Sequence, residues 1–233
     1  MGNSEQFAFR QFVVRQDLCA MKVGTDGVLL GAWAEGGRRV LDIGTGTGLV
    51  ALMMAQRFAG ASVVAVDLDE GACRQAQINV GASPFASRVS VVRTAVQDFS
   101  APEAFDSIVS NPPFFTSALR CPDQARNMAR HADTLSYADL FAAVSRLLTA
   151  EGTFSAIVPT DCLSDFTAEA YVHGLSPVRQ TLVRTTPRKQ PKRALLAFRR
   201  QPSPLACEEV CLVGADGGRS DWYAGITAGF YLR

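Results

Sequence analysis

Asn111, Pro112, Pro113 and Phe114 combine polar, rigid and aromatic groups at one point, directly after the apolar run "FDSIVS". Two consecutive prolines remove two backbone donors and restrict two φ angles, so the neighbouring carbonyl groups are held in fixed directions. The side-chain oxygen of Asn111 and the carbonyl of Pro112 can both accept hydrogens from one amino group, and Phe114 can stack on a flat base. We therefore expect a site that holds an amino group on an aromatic ring. The alternative is an ordinary turn begun by Asn-Pro.

A second group of candidate residues lies in "VLDIGTGTGLV", where Gly44, Gly46 and Gly48 separate a predicted strand from a predicted helix. Glycine permits backbone angles that other residues avoid, and it lets the main chain approach a ligand closely. The third glycine comes one residue too early for the G-x-G-x-x-G of dinucleotide-binding folds. The segment D-I-G-T-G-T-G, which begins at Asp42, instead resembles the first motif of S-adenosylmethionine-dependent methyltransferases. The alternative is a tight turn without a ligand.

This resemblance implies S-adenosyl-L-methionine as the cofactor, with the glycines beside its amino-acid portion. Asp67 lies about 20 residues after the glycines, where dinucleotide folds place an acid that accepts hydrogen bonds from ribose hydroxyls, and Leu68 follows it. Asp98 corresponds to the family's residue that reads the adenine amino group, with Phe99 beside the ring. Asp98 could instead cap a following turn.

Methyl transfer to an exocyclic nitrogen depends mainly on positioning, because the attacking atom must lie in line at about 3 to 3.5 Å from the methyl carbon. The lone pair of that nitrogen is delocalised into the ring, and two acceptors on its hydrogens draw it toward a tetrahedral geometry. No general base is required, because the proton leaves after the nitrogen has become cationic. The two histidines, His131 and His173, are not in a triad-like setting, and we expect a structural role for His131.

Strands and helices alternate along the chain in the pattern of a parallel, doubly wound sheet. The segments "RRVLDIG", "ASVVAVDLD", "RVSVVRTAVQD" and "FDSIVSN" each carry an acidic or amide residue near their end. Ligands of such sheets bind outside the carboxyl ends of the strands, so Asp42, Asp67, Asp98 and Asn111 are expected at one edge. The fold class predicted is α/β, a Rossmann-like class I methyltransferase, with a mostly parallel twisted sheet and helices on both faces.

The remaining elements complete this sheet. Ser136 can cap a helix that Gly152 would stop, and "TFSAIVP" is a fifth strand. The segments "RQTLVRTTP" and "RALLAFRRQP" predict an antiparallel hairpin that closes the sheet. We expect one domain over residues 1–233, in which residues 1–36 form an extension on the cofactor and substrate side. Residues 37–200 form the core sheet, and residues 201–233 form a C-terminal strand and helix.

Several longer segments resemble one family closely: "FRQFVVRQDLCAMKVGTDGVLLGAWA", "NPPFF", "RNMARHADTLSYADLF" and "KRALLAF". They are similar to the bacterial valine tRNA (adenine(37)-N6)-methyltransferases over nearly the whole chain. The resemblance implies tRNA as the partner and methylation of the adenine next to the anticodon. It also implies that Lys22, Thr25 and Asp26 close over the cofactor side of the pocket. Thr25 or Asp26 could also cap the helix that follows.

A cluster of cations near the C-terminus supports an RNA partner independently, because the formal net charge of the whole chain is only +1. The cluster lies in "RTTPRKQPKRALLAFRR", and its turn should emerge at the same edge as Asn111. Basic side chains there would meet RNA phosphates if a loop adenine entered the pocket. The candidate RNA-binding residues are Arg188, Lys189, Lys192 and Arg193. The alternative is a solvated turn.

The bulk composition limits the other possibilities. Hydrophobic residues make up 48% of the chain and charged residues 19%, as in a compact globular protein rather than a disordered one. The six cysteines form no C-x-x-C pair, so we expect reduced packing residues, no metal site and a cytoplasmic protein. No segment has the length and apolarity of a membrane span or a signal peptide, so no membrane partner is expected.

Two other functions remain open at this stage. An rRNA guanine-N2 methyltransferase would use the same cofactor and the same N-P-P-F residues. A non-catalytic RNA-binding module with this fold would be expected to have a damaged glycine turn or a replaced asparagine, and neither is seen.

Overall fold

A computed structural model describes residues 5–19, 22–113 and 135–232. The predictions for Phe114 and His131 fall outside the described residues. The strands are β1 (Gln6–Ala8), β2 (Val13–Arg15), β3 (Arg39–Ile43), β4 (Ser62–Asp67), β5 (Val89–Arg93), β6 (Phe105–Ser110), β7 (Leu148–Pro159), β8 (Ser176–Arg184), β9 (Arg193–Arg199) and β10 (Ala206–Cys211). The helices are α1 (Thr25–Trp33), α2 (Leu49–Arg57), α3 (Glu70–Gly81), α4 (Tyr137–Leu147), α5 (Leu163–Val172) and α6 (Asp221–Thr227).

The main sheet has eight strands in the order β10-β8-β9-β7-β6-β3-β4-β5. Strand β9 is antiparallel to both of its neighbours, β7 and β8, and the other neighbouring pairs are parallel. The mostly parallel sheet with an antiparallel C-terminal hairpin is therefore confirmed. Since β8 runs in the same direction as β6, the turn that follows β8 lies at the same edge as Asn111, as predicted.

Helices cover both faces of the sheet, because successive side chains of each buried strand point to opposite sides. In β9, Leu195 and Ala197 join one hydrophobic cluster with residues of α1 and α2. Leu196 and Phe198 join the other cluster, with residues of α4 and α5. The second cluster is rich in aromatic rings, and the ring centroid of Phe198 lies 5.5 Å from that of Phe141. Two cores thus hold the sheet from its two sides.

Three details differ from the sequence-based expectations. The hairpin does not close the sheet, because β10 pairs with β8 along its free edge. Gly152 does not stop α4: the helix ends at Leu147, and the chain continues directly into β7, where Gly152 lies in an irregular stretch of the pairing with β6. Neither Thr25 nor Asp26 caps α1, because the helix begins at Thr25 and has no side-chain cap. The predicted cap of α4 is confirmed, since Ser136 Oγ accepts a hydrogen bond from Asp139 N at 3.0 Å.

The N-terminal segment is attached to the sheet by the side chains of α3. Asn79 Oδ1 accepts from Arg15 N at 2.8 Å, and Asn79 Nδ2 donates to the carbonyls of Arg15 at 2.9 Å and Thr47 at 2.8 Å. Gln75 Oε1 accepts from Leu18 N at 2.7 Å. One asparagine therefore binds the N-terminal segment and the turn before α2 together, which brings the residues before α1 next to the glycine turn.

The turn between β3 and α2 needs its glycines. Gly44, Gly46 and Gly48 have φ angles of 72°, 54° and 81°, in a region that other residues rarely adopt. The carboxylate of Asp42 lies beneath this turn with 2% of the residue exposed, and its Oδ2 accepts from Thr45 Oγ1 at 2.6 Å and Ala51 N at 3.1 Å. Burial raises the pKa of Asp42 to about 7, although these two hydrogen bonds oppose the shift.

This burial predicts a pH-dependent stability. The pKa of Asp42 is about 7 in the folded protein, against 3.8 for an unperturbed aspartate. Between these values the folded state holds a proton that the unfolded state has lost, so this group's contribution to the free energy of unfolding falls as pH rises, and it levels off above about pH 7. We expect Asp42→Asn to remove this pH-dependent contribution. The stability of the wild type relative to the variant should fall by on the order of 2 kcal/mol from about pH 5 to pH 8.

Urea unfolding of both proteins at several pH values, without cofactor, measures this difference. A stability difference that is constant over the range would contradict the assignment.

Candidate active site

The carboxyl ends of three neighbouring strands form the floor of the site. Ile43 of β3 pairs with Ser110 of β6 and with Val66 of β4, so the residues that follow these strands lie side by side. Ser110 Oγ donates to the carbonyl of Ile43 at 2.9 Å, and Gly44 N donates to the carbonyl of Val66 at 2.9 Å. The glycine turn, Asp67 and Asn111 therefore meet at one edge, as the strand pattern predicts.

Two adjoining cavities open at this edge, and both are lined by Gly44, Gly46 and Asn111. The larger, of about 520 Å³, we call the acidic cavity, because its lining includes Asp67, Asp69 and Asp139. The smaller, of about 390 Å³, we call the Lys22 cavity. Its further lining includes Lys22, Thr25, Asp26, Thr45 and Arg193. Asn111 lies where the two meet.

In the acidic cavity, the carboxylate of Asp67 is held by two backbone amides. Its Oδ2 accepts from Gly46 N at 2.9 Å, and its Oδ1 accepts from Asp69 N at 3.0 Å. Each carboxylate oxygen has a further lone pair, so Asp67 can still accept hydrogen bonds from a pair of vicinal hydroxyls. Leu68 lines the same cavity and is 45% exposed, so it offers an apolar surface next to that carboxylate.

Asn111 carries an unusual polar atom. Its Oδ1 is buried and has no hydrogen-bond partner among the described residues. A buried carbonyl oxygen without a partner is rare in folded proteins, and such an atom often marks a functional position. Pro112 is buried behind Asn111, and Pro113 lines the acidic cavity. The amide is thus placed by a stiff segment and keeps its acceptor available at the junction of the two cavities.

The structure brings most of the predicted cofactor residues to the cavities, but not all of them. Gly48 lies at the start of α2 and outside both linings, and its φ angle serves the turn. Asp42 directs its hydrogen bonds to the turn and lines neither cavity. Asp98 is exposed, and the ring centroid of Phe99 lies 6.3 Å from that of Phe105. Neither residue lines the acidic cavity or the Lys22 cavity.

The predicted RNA-binding residues separate into two groups. Arg188, Lys189 and Lys192 are exposed on the turn between β8 and β9. Arg193 instead lines the Lys22 cavity, and its Nε lies 2.7 Å from Asp26 Oδ2. This ion pair joins the start of α1 to the start of β9. Asp26 and Arg193, predicted to contact two different ligands, are therefore direct partners of one another.

Sequence reasoning missed several residues of the linings, among them Cys19, Thr45, Thr47, Thr94, Ala95, Val96, Gln97, Leu135 and Asp139. The sequence does contain a signal for Asp139. Ser136 and Asp139 are three residues apart, the spacing of a helix cap and its partner, which predicts that the Asp139 side chain lies at the start of the helix. Within the described residues there is no group of three metal-binding side chains, and no helix is long and apolar enough to cross a membrane.

Comparisons with known proteins agree with this geometry. The family model described as methyltransferase small domain matches residues 23–154. The tRNA1(Val) (adenine(37)-N6)-methyltransferase of Bacteroides thetaiotaomicron is 48% identical to the chain, over 97% of the chain and 97% of the relative.

Two solved structures are similar in fold. A predicted O-methyltransferase from Agrobacterium tumefaciens has a TM-score of 0.67 at 18% identity, with 88% of this chain and 96% of that chain covered. The glycopeptide N-methyltransferase MtfA, in complex with (S)-adenosyl-L-methionine, has a TM-score of 0.56 at 14% identity, with 78% and 90% covered. The predicted class I methyltransferase fold is confirmed. The chain belongs to the methyltransferase small domain family and, within it, to the tRNA1(Val) (adenine(37)-N6)-methyltransferases.

Proposed function

We propose that the chain transfers the methyl group of S-adenosyl-L-methionine to the exocyclic N6 of adenine 37 in the anticodon loop of valine tRNA. The observation that carries the proposal is the buried Oδ1 of Asn111, which has no hydrogen-bond partner among the described residues and lies at the junction of the two cavities. The names of the curated relatives specify adenine N6 and tRNA, and this favours the reading over methylation of an rRNA guanine.

The described residues fit S-adenosyl-L-methionine by the chemistry of their groups. Asp67 offers oriented acceptors for the ribose hydroxyls, and Leu68 offers an apolar surface beside the base. The main chain at Gly44 and Gly46 can approach the cofactor closely, because neither residue has a side chain. At Gly44 a side-chain carbon would project into open space, with no atom of the described residues within 4 Å, and this space is left for a ligand. Lys22, Thr25 and Asp26 provide charged and polar groups for the amino-acid portion, which carries both an ammonium and a carboxylate.

The chain's own residues act mainly by orientation. When bound, the cofactor supplies an electrophilic methyl group, and the N6 lone pair forms the new N–C bond as the S–C bond breaks. Asn111 Oδ1 accepts one amino hydrogen, and the Pro112 carbonyl is assigned the other, so that the lone pair turns out of the ring plane. The proton then leaves the cationic nitrogen for solvent. Stacking of the base on Phe114, which lies outside the described residues, stays a prediction.

The turn between β8 and β9 is assigned to the RNA backbone. Arg188, Lys189 and Lys192 are exposed, and none of them forms an ion pair with a described residue. The turn lies at the same edge as Asn111, so phosphates that flank an extruded base would pass close to these charges. Other cations of the same segment are used within the protein: Arg199 pairs with Glu35 at 2.6 Å, and Arg200 binds backbone carbonyls near the end of α4.

We assign the whole chain to one catalytic domain, in which the N-terminal extension completes the cofactor side. The contacts of Asn79 and Gln75 with the residues before α1 support this division. We also propose a cytoplasmic location, which a tRNA substrate supports.

The first test concerns Asn111. We expect Asn111→Ala to lower kcat for tRNA methylation by about 10²- to 10³-fold, because an acceptor aimed at the reacting group is lost. The affinity for S-adenosylhomocysteine, measured by calorimetry, should change less than about threefold. Ser155→Ala is a matched control, because Ser155 Oγ is also buried and unpartnered among the described residues, but it lines neither cavity.

The product is identified by mass spectrometry of nucleosides from the modified tRNA. N6-methyladenosine supports the proposal, whereas methylated guanosine as the product would refute the assigned substrate. Full activity of the Asn111 variant would refute the mechanism.

The second test concerns the basic turn. We expect the triple variant Arg188→Gln, Lys189→Gln and Lys192→Gln to bind tRNA more weakly at low salt. The slope of log K against log salt should become shallower by about 2, since up to three phosphate contacts are lost. Cofactor affinity should not change. Arg193 is left intact because its replacement would also break the pair with Asp26.

Arg38→Gln serves as the control for charge alone. Arg38 is exposed directly before β3, and it therefore lies at the opposite edge of the sheet. An unchanged salt slope in the triple variant would contradict the assignment of the turn to RNA.

A further inference from the structure

Helix α4 contributes a carboxylate to the acidic cavity that no prediction had assigned. Asp139 lies in the first turn of α4 and lines the cavity together with Leu135, Asp67 and the segment from Thr94 to Gln97. Asp98, the residue predicted to read the cofactor's adenine, is exposed and outside the lining. The lining of the acidic cavity therefore contains Asp139 and not the expected Asp98.

One oxygen of the Asp139 carboxylate is held by a hydrogen bond within the helix, and the other is not held by any described residue. Ser136 Oγ donates to Asp139 Oδ2 at 2.6 Å, and as the cap of the helix it accepts from Asp139 N at 3.0 Å. Its other oxygen, Oδ1, makes no hydrogen bond with a described residue. Asp139 thus keeps one carboxylate oxygen available as an acceptor in a residue that lines the cavity.

Helix α4 also holds the loop that follows β5. Arg146, two turns after Asp139, donates from Nη2 to the carbonyls of Val96 at 3.0 Å and Gln97 at 3.1 Å, and from Nη1 to the carbonyl of Phe99 at 2.5 Å. One guanidinium therefore sets the direction of three loop carbonyls relative to α4. Asp139 and the side chain that holds the loop therefore lie on the same helix.

The backbone amides of this loop differ in whether they already donate a hydrogen bond to another backbone group. Those of Asp98 and Phe99 are used, since both donate to the carbonyl of Ala95 at 3.1 Å. The amides of Val96 and Gln97 make no backbone hydrogen bond with the described residues. The edge of adenine carries an amino donor next to a ring-nitrogen acceptor, and a carboxylate beside a free amide complements that pair.

We propose that Asp139, rather than Asp98, accepts the amino hydrogen of the cofactor's adenine, while an amide of the Val96–Gln97 loop donates to the adjacent ring nitrogen. The inference rests on the proposed use of S-adenosyl-L-methionine and deepens it by naming the specificity residue. Arg146 acts as a positioning residue, because it holds the loop and does not line the cavity.

The test compares the binding of two nucleosides by calorimetry, without RNA. S-adenosylhomocysteine carries the amino group, and S-inosylhomocysteine carries an oxygen in its place. The wild type should strongly prefer the adenosyl compound, because in the analogue the carboxylate of Asp139 would face an oxygen and the loop amide would face a ring N–H. Asp139→Asn should lower the affinity for the adenosyl compound by about 10- to 100-fold, since a charge-assisted hydrogen bond is weakened. Its affinity for the inosyl compound should be unchanged or higher, because the new amide can donate to that oxygen.

Two controls separate recognition from helix capping. Ser136→Ala removes the cap and keeps the carboxylate, so the ratio of the two affinities should stay within about threefold of the wild type. Asp98→Asn should leave the ratio unchanged. The side-chain oxygen of the asparagine at position 139 can still accept from Ser136, and a thermal unfolding scan checks that this variant is folded.

A smaller preference for the adenosyl compound in the Asp139 variant alone supports the proposal, because the loop amide still faces the ring N–H of the inosyl compound. An equal loss of affinity for both compounds, or loss of discrimination in Asp98→Asn, would overturn it. Either result would contradict only the role of Asp139 and would leave the proposed methylation of tRNA standing. A wild type that binds neither compound would instead refute the proposed cofactor.

Discussion

The pairing of β3 with β4 on one side and β6 on the other is the constraint on which the site depends. Ile43 is in register with both Val66 and Ser110, so these positions of the three strands lie side by side at one edge of the sheet. The next residues along each strand are then Gly44, Asp67 and Asn111, which come from distant parts of the sequence. Two hydrophobic cores fix this register from the two faces of the sheet, because a shift of one residue would exchange every buried side chain between them.

The side-chain oxygen of Asn111, which has no hydrogen-bond partner among the described residues, carries an energetic cost. A buried polar atom without a hydrogen bond costs on the order of 1 to 3 kcal/mol, and the protein tolerates that cost at the junction of the two cavities. In the proposed function, a substrate amino group donates to this oxygen and so relieves the cost on binding. The two prolines limit how far the segment can relax, so the acceptor is kept oriented before any substrate arrives. Preorganisation of this kind favours the transition state more than a flexible side chain would.

The sequence predicts the parts of the site that local chemistry dictates. The left-handed glycine turn, the acid at the end of β4 and the Asn-Pro-Pro corner each have a short-range reason for their residue types, and the structure places them together. Residues whose role depends on long-range contacts are harder to predict. Asp139 reaches the acidic cavity only because α4 packs on the sheet beside the loop after β5. Asp98 is near the expected strand end, but the turn exposes it.

The pair of Asp26 and Arg193 is another such long-range contact, and it changes how the basic segment is understood. Its two side chains are 23% and 35% exposed, so the pair is partly screened and adds little to stability. Its effect is geometric, because it ties the start of α1 to the start of β9, next to the basic turn. The N-terminal segment is also held to the glycine turn through Asn79. The proposed cofactor side and the proposed RNA side are therefore joined by direct contacts, and a displacement of one acts on the position of the other.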